Sequence, residues 1–285
     1  MDNKFFTDLA AESREAWRQG RDRALPGLFS SREETEGFVS DVVEIRDEET
    51  AQELCKPIGR YVTLELGALI RREEDAFPRA CRALAAELRR QLQLSPGMSV
   101  LAVCLGNGDI TPDAVGPLAA DHILVTRHLK EAMPGDFASF RPVAVLRPGV
   151  LGTTGIESAA LTAAAAAQVK PDPIVAVDAL AAREAARLCR SVQISDAGIV
   201  PGSGVGNARF ALDRNTVGVP VVAIGVPTVI DVRALCPGAT CGEEMFVTPR
   251  DVDSRVRTAA RLLGYAVNLA LHEGLTVEDV DMFLS

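Results

Sequence analysis

From Ala76 to Leu94, apolar side chains recur every four residues at Ala80, Leu84, Leu88 and Leu92, which predicts an amphipathic helix over 76–94. Arg89 and Arg90 fall late in the run, where the helix dipole favours cations. Ser95-Pro96-Gly97 stops that helix. Met98 to Leu105 (MSVLAVCL) is then a near-continuous apolar run, the pattern of a parallel strand buried on both faces. The same run type returns at Ile174–Val177 and Val219–Val226, whereas Phe38–Ile45 and Tyr61–Leu66 alternate as half-buried strands do, antiparallel or at a sheet edge. Glu157–Gln168 (ESAALTAAAAAQ) predicts a helix whose small side chains allow close approach to a sheet, and Asp251–His272 carries Val252, Val256, Ala259, Leu263 and Val267 at helical spacing. Residues 1–24 are polar and helix-compatible, and with Pro26-Gly27 and the acidic Glu33-Glu34-Thr35-Glu36 they read as a leader or arm rather than core. Alternating buried strands and helices predict an α/β layered domain with a mostly parallel central sheet flanked by helices, plus an additional N-terminal strand region over 37–70.

Composition narrows the functional classes. Among 285 residues, 30 Lys and Arg stand against 39 Asp and Glu, a net charge of −9 and a pI near 5.0. That excludes a basic nucleic-acid binder held by phosphate neutralisation. Hydrophobic residues make up 47% and mean hydropathy is +0.12, ample for a large core. The opening MDNKFFTDLAAESREAW carries acids where a signal peptide is apolar, and no run of about eighteen apolar residues occurs, so a soluble intracellular protein is expected. Six cysteines (Cys55, Cys81, Cys104, Cys189, Cys236 and Cys241) read as reduced thiols in a chain too large to need disulfide staples.

The candidate chemistry lies where buried strands end. Gly106–Pro117 (GNGDITPDAVGP) follows one strand and leads into a helix, with Thr111 as N-cap, Pro112 at the first helical position and Asp113 in the first turn. Asp178 ends the strand-like Ile174–Val177 and precedes the helix-like Ala179–Arg183. Two readings stand for each acid. Asp113 is a helix cap, or a site residue in the crevice at the carboxyl ends of the strands. Asp178 is a salt-bridge partner of Arg183 or a second cap, or it faces Asp113 across that crevice. Two carboxylates at short range cannot both ionise easily, and one acid plus one base is what water-mediated amide hydrolysis requires. Three glycine loops, 106–108, 152–155 and 202–207, are tight turns or anion-facing backbone nests, and none is a P-loop. The three histidines, His122, His128 and His272, have no metal-ligand spacing; Cys236 and Cys241 stand alone as C-x4-C, and no Gly-x-Ser-x-Gly elbow occurs. Neither a metal nor another cofactor is expected.

Several stretches, in fixed order from about residue 5 to 272, closely resemble the germination proteases of spore-forming bacteria. They include Thr111-Pro112-Asp113-Ala114-Val115-Gly116-Pro117, Leu151–Glu157, Val177-Asp178-Ala179-Leu180-Ala181-Ala182-Arg183, Gln193–Ile199, Pro201–Asn207 and Ala223–Val229. The resemblance implies an atypical aspartic-type endopeptidase, unrelated to pepsin, with a fold similar to the hydrogenase-maturation proteases. It degrades small acid-soluble spore proteins at germination, in the cytoplasm of the forespore and spore core, as a homotetramer. The family's catalytic aspartates fall on Asp113 and Asp178, and Asn107, Thr111, Gly155, Gly204 and Asn207 become substrate-positioning candidates. The family is made as a zymogen that processes itself after an acidic residue, which places the cut between Asp8 and Leu9. This implies a propeptide-like leader over 1–8 and a single peptidase domain over 9–285, with its catalytic core over 98–230 and a C-terminal helix over 250–272. Two departures stand out: a short leader, and a stretch between Val229 and Val247 much briefer than in longer members. The alternatives are a metal-assisted maturation-type peptidase, which a calorimetric metal titration would reveal, and a non-catalytic spore protein on the same fold. Nucleic acid and membrane are not expected as partners.

Overall fold

The computed structural model describes residues 7–19, 23–203, 209–235 and 245–285. Their strands are β1 (Leu28–Thr35), β2 (Phe38–Ile45), β3 (Gly59–Glu65), β4 (Val100–Cys104), β5 (Val143–Leu146), β6 (Ile174–Ala182), β7 (Ser191–Ser195), β8 (Val221–Asp231) and β9 (Phe246–Val247). All lie in one sheet, in the order β1-β2-β3-β7-β8-β6-β4-β5, with β9 paired to β8. The run β8-β6-β4-β5 is parallel and holds the apolar runs; β7, β3, β2 and β1 continue antiparallel. The alternating strands β2 and β3 fall in this antiparallel extension.

The pleat sorts side chains between two layers. On one face Val100, Ala102, Cys104, Val175, Val177, Val222 and Ile224 pack against the helices Ala76–Leu92 and Val252–Leu271. The opposite face carries Leu101, Val103, Ile174, Ala176, Val221 and Ala223, covered by Ala166 of the helix Ser158–Val169 and by Leu212. Small side chains there, Ala159, Thr162 and Ala166, let that helix lie close, as its sequence predicts.

Two expectations change. Residues from Thr7 onward belong to the core rather than to an arm: Leu9, Ala10, Ala11 and Trp17 are buried, the last three in the helix Ala10–Arg18. Its polar residues misled the reading because they are paired. Arg14 donates to both carboxylate oxygens of Asp41 at 2.8 and 2.7 Å, and Glu12 accepts from the backbone N–H groups of Arg183 and Glu184 at 2.6 and 3.0 Å. The acidic stretch over 33–36 is likewise no arm, since Glu33 to Thr35 complete β1, in antiparallel register with β2.

Candidate active site

Chain order and sheet order diverge at β4. The chain leaves β4 for β5 on one side, then crosses to β6 on the other. Such a reversal opens a crevice beyond the carboxyl ends of the strands, where ligands bind in open α/β sheets. Asp113 follows β4 and Asp178 lies on β6, so the topology brings both acids to this crevice.

Asp113 sits in a short 3-10 turn, Thr111–Asp113, ahead of the helix Val115–Ala119. The expected Thr111 cap is not formed: Ile110 holds the N-cap position and Thr111 lies within the turn, its carbonyl accepting from Ala114 N–H at 3.1 Å. Gly106 makes this fold possible. Its φ is +111°, and a Cβ there would stand 2.1 Å from the Asp113 carbonyl oxygen. Asn107 N–H donates to Asp113 Oδ2 at 2.8 Å, so this loop's backbone is aimed at the aspartate itself. A register shift between Leu180 and Ala181 leaves Thr228 of β8 outside the ladder, and its hydroxyl donates to the Pro112 carbonyl at 2.7 Å. The bulge thus re-aims a side chain to hold the turn in place.

Asp178 departs from expectation in its local structure. Ala179–Arg183 does not open a helix; β6 continues through Ala182, and Asp178 stands inside the strand. It is 5% exposed, and Oδ1 accepts from Ala179 N–H at 2.8 Å. Burial, with the charges of Asp113 and Asp8, raises its pKa well above the usual carboxylate range. Asp113 is half-buried, and burial raises its pKa too, against the stabilising Asn107 N–H. Both carboxyls are therefore weaker acids than usual, and Asp178 is the more deeply buried of the two.

The third acid is Asp8. Its N–H donates to the Ala181 carbonyl at 2.8 Å, while its carboxylate accepts from Ala181 N–H at 2.8 Å and from the Ser203 hydroxyl at 2.5 Å. The segment around it is clamped: Lys56 donates to the Thr7 carbonyl at 2.8 Å, and Leu9 is fully buried against Leu180, Ala182 and Leu188. Asp8, Lys56, Leu180, Gln193, Ser203 and Gly225 help to line a cavity of about 710 Å³ beside the docked segment. Asp8 and Leu9 thus lie at the same end of the sheet as Asp178.

Other candidates are not drawn in. Gly155 closes the exposed turn after the helix Leu151–Thr154, its N–H bonded to the Leu151 carbonyl at 2.8 Å, in the tight-turn role. Gly204 and Asn207 lie outside the described residues, as do Cys236 and Cys241. Among the described residues no group of three or more His, Cys, Asp or Glu is arranged to hold a metal ion, and no helix is long and apolar enough to cross a membrane. Sequence reasoning missed Gln193, Lys56, Ser203 and Glu12. The available signal was polarity out of place, a glutamine inside the buried strand Ser191–Ser195 and acids on a helix that carries the buried Trp17.

Comparison with known proteins bears on the same residues. A family model described as germination protease matches residues 6–240, a span that includes Asp8, Asp113 and Asp178. The germination protease of Caldanaerobacter subterraneus subsp. tengcongensis is 37% identical over 318 residues, covering 98% of this chain and 97% of the relative. That of Clostridium perfringens strain 13 is 34% identical over 320 residues, with 98% of each covered, and that of Bacillus thuringiensis subsp. konkukian is 41% identical over 231 residues, covering 79% of this chain and 63% of the relative. A solved NiFe hydrogenase maturation protease, HycI from Thermococcus kodakarensis KOD1, aligns with 61% of this chain and 94% of its own at a TM-score of 0.35 and 22% identity. By its match over most of its length, the chain belongs to the germination protease family and is a peptidase.

Proposed function

We propose that the chain is an aspartic-type endopeptidase that hydrolyses small acid-soluble spore proteins during germination, in the spore interior, and that it first cuts itself between Asp8 and Leu9. The observation that carries the mechanism is Asp178, a carboxyl buried at the switch point and made a weaker acid by burial and by the Asp113 charge. The more accessible Asp113, stabilised as an anion by Asn107 N–H, takes a proton from water as general base. Asp178, still protonated, gives its proton to the departing amine. Neither role needs a group from outside the chain. Preference for an acidic residue before the scissile bond follows from the partners of the Asp8 carboxylate, the Ser203 hydroxyl and Ala181 N–H.

The test is proteolysis of a purified small acid-soluble spore protein by the wild type and by folded Asp113→Asn and Asp178→Asn variants. Wild type should cut after acidic residues, and each variant should lose about 10²–10⁴-fold in rate, the usual contribution of a positioned acid or base. Variants that cut at the wild-type rate would place the chemistry elsewhere.

A further inference from the structure

Across the sheet, Gln193 of β7 pairs with Gly225 of β8, and Gly225 pairs on its other side with Asp178 of β6. The three residues form one row, and residues directly opposite in neighbouring strands project to the same face. Strands are spaced by roughly 4.8 Å, so Asp178 and Gln193 are separated by roughly 10 Å of backbone with no side chain rising from the residue between. A Cβ at Gly225 would meet the Leu180 side chain at 2.7 Å, so glycine is needed where the row must stay open.

Over this row lies the Asp8–Leu9 peptide. Gln193 Nε2 donates to the Asp8 carbonyl oxygen at 3.0 Å, and Gln193 Oε1 accepts from Ala10 N–H at 2.8 Å. A carbonyl can only accept and a backbone N–H can only donate, so the two partners fix the orientation of the amide. Gln193 is 7% exposed, and hydrogen bonds from so buried an amide face little competition from water. One side chain thus brackets Leu9, touching the carbonyl on one side of the residue and the next N–H on the other. Both contacts are to backbone atoms, so any extended peptide placed in this groove would receive them whatever its side chains.

Resting on the self-processing reading given above, we propose that Gln193 is a third catalytic residue, the donor that polarises the scissile carbonyl and holds the oxyanion. Water adds through its oxygen to the Asp8 carbonyl carbon while Asp113 takes one of its protons, and the carbonyl π pair moves onto the oxygen facing Gln193 Nε2–H. When the tetrahedral centre collapses, that pair re-forms the carbonyl and the C–N bond breaks, its electrons leaving on the Leu9 nitrogen. Asp178 supplies the proton that completes the Leu9 amine. The products are an Asp8 acid and a free Leu9 amine, with one water consumed. No oxidant or other co-reactant enters.

A merely structural role is the sharp alternative, because the bond from Ala10 N–H also satisfies the start of the helix Ala10–Arg18. The test uses the full chain and a synthetic decapeptide of residues 4–13 (KFFTDLAAES), with kcat and KM measured for wild type, Gln193→Met and Asp178→Asn. Methionine keeps the length of the arm and removes the amide donor. The expected result is a fall in kcat of about 10²-fold or more for Gln193→Met, the cost of losing one oxyanion donor, with KM within threefold of wild type and Asp178→Asn silent. A raised KM with unchanged kcat would make Gln193 a clamp and overturn the inference while leaving the aspartate reading intact. Cleavage by Asp178→Asn at the wild-type rate, or a wild type that cuts neither its own Asp8–Leu9 bond nor, once processed, the decapeptide, would overturn the aspartate reading and the inference with it. Should Gln193→Met melt early by circular dichroism, Gln193→Asn, which keeps the amide on an arm too short to reach, decides by the same split.

Discussion

Asp178 binds its proton more tightly in the folded chain than in the unfolded one, because burial and the neighbouring Asp113 charge both disfavour the anion. Linkage gives the sign. With the folded pKa raised, the folded state holds more protons between the ordinary and the raised value, so this residue's contribution to stability falls as pH rises through that window. Asp178→Asn removes the titration and should raise stability at pH 7 to 8 by on the order of 1–3 kcal/mol, the cost of an ill-solvated buried polar group, and with it the melting temperature. Near pH 3, where the carboxyl is protonated in both states, the two proteins should melt together. Thermal melts across pH 3 to 8 check this, and a variant that loses stability at pH 8 would contradict the assigned protonation. At this scale the two aspartates were legible because each follows an apolar run, a position readable from sequence. Gln193 was not, since its contacts are to the backbone of Asp8 and Ala10, residues some 180 positions away.

Elements with a strong period were read nearly to their ends: a helix expected over 76–94 spans Ala76–Leu92, and one expected over 251–272 spans Val252–Leu271. The stretch Ala179–Arg183, expected to be helix-like, instead continues β6 through Ala182 for a physical reason. Alanine favours helix in isolation, but here Ala181 and Ala182 pair with Val229 and Ile230 of β8, and Asp8 donates to the Ala181 carbonyl. Tertiary pairing outweighs a propensity of a few tenths of a kcal/mol per residue. The helix Val115–Ala119 makes a further prediction. A Cβ at Gly116 would lie 2.1 Å from the Leu105 carbonyl oxygen, just past the end of β4, and 2.7 Å from that of Val177, next to Asp178 within β6. Gly116→Ala should therefore push the helix, and the Asp113 turn before it, away from Asp178. The expected cost is about 1–3 kcal/mol in urea unfolding, with a loss of peptidase activity larger than the stability loss accounts for. Wild-type activity in this variant would mean that Asp113 need not be held against β6.

At the scale of the molecule, the sheet carries several apolar cores, and a small one of Leu9, Leu180, Ala182, Leu188 and Ile230 lies beside the site. The largest packs the parallel strands and one face of the antiparallel ones, Phe38, Leu64, Val192 and Ile194, against helices; Ala10, Trp17, Val43, Ile45, Leu54 and Tyr61 form another, built from the N-terminal segment and the other face of β2 and β3. The N-terminal segment looks like an arm in sequence because its charges hide its burial, and only their partners Asp41, Arg183 and Glu184 account for them. Self-processing, as proposed, would make the docked segment the chain's first substrate: Asp8 is bonded to Ala181 of β6, and its charge is felt at Asp178. The most direct test is the intact mass of the purified full-length chain followed over time, for wild type, Asp113→Asn and Asp178→Asn. Wild type should convert to a form beginning at Leu9 while both variants keep Met1. Folded variants that also begin at Leu9, or a wild type that still begins at Met1 while it cleaves spore protein, would contradict this expectation.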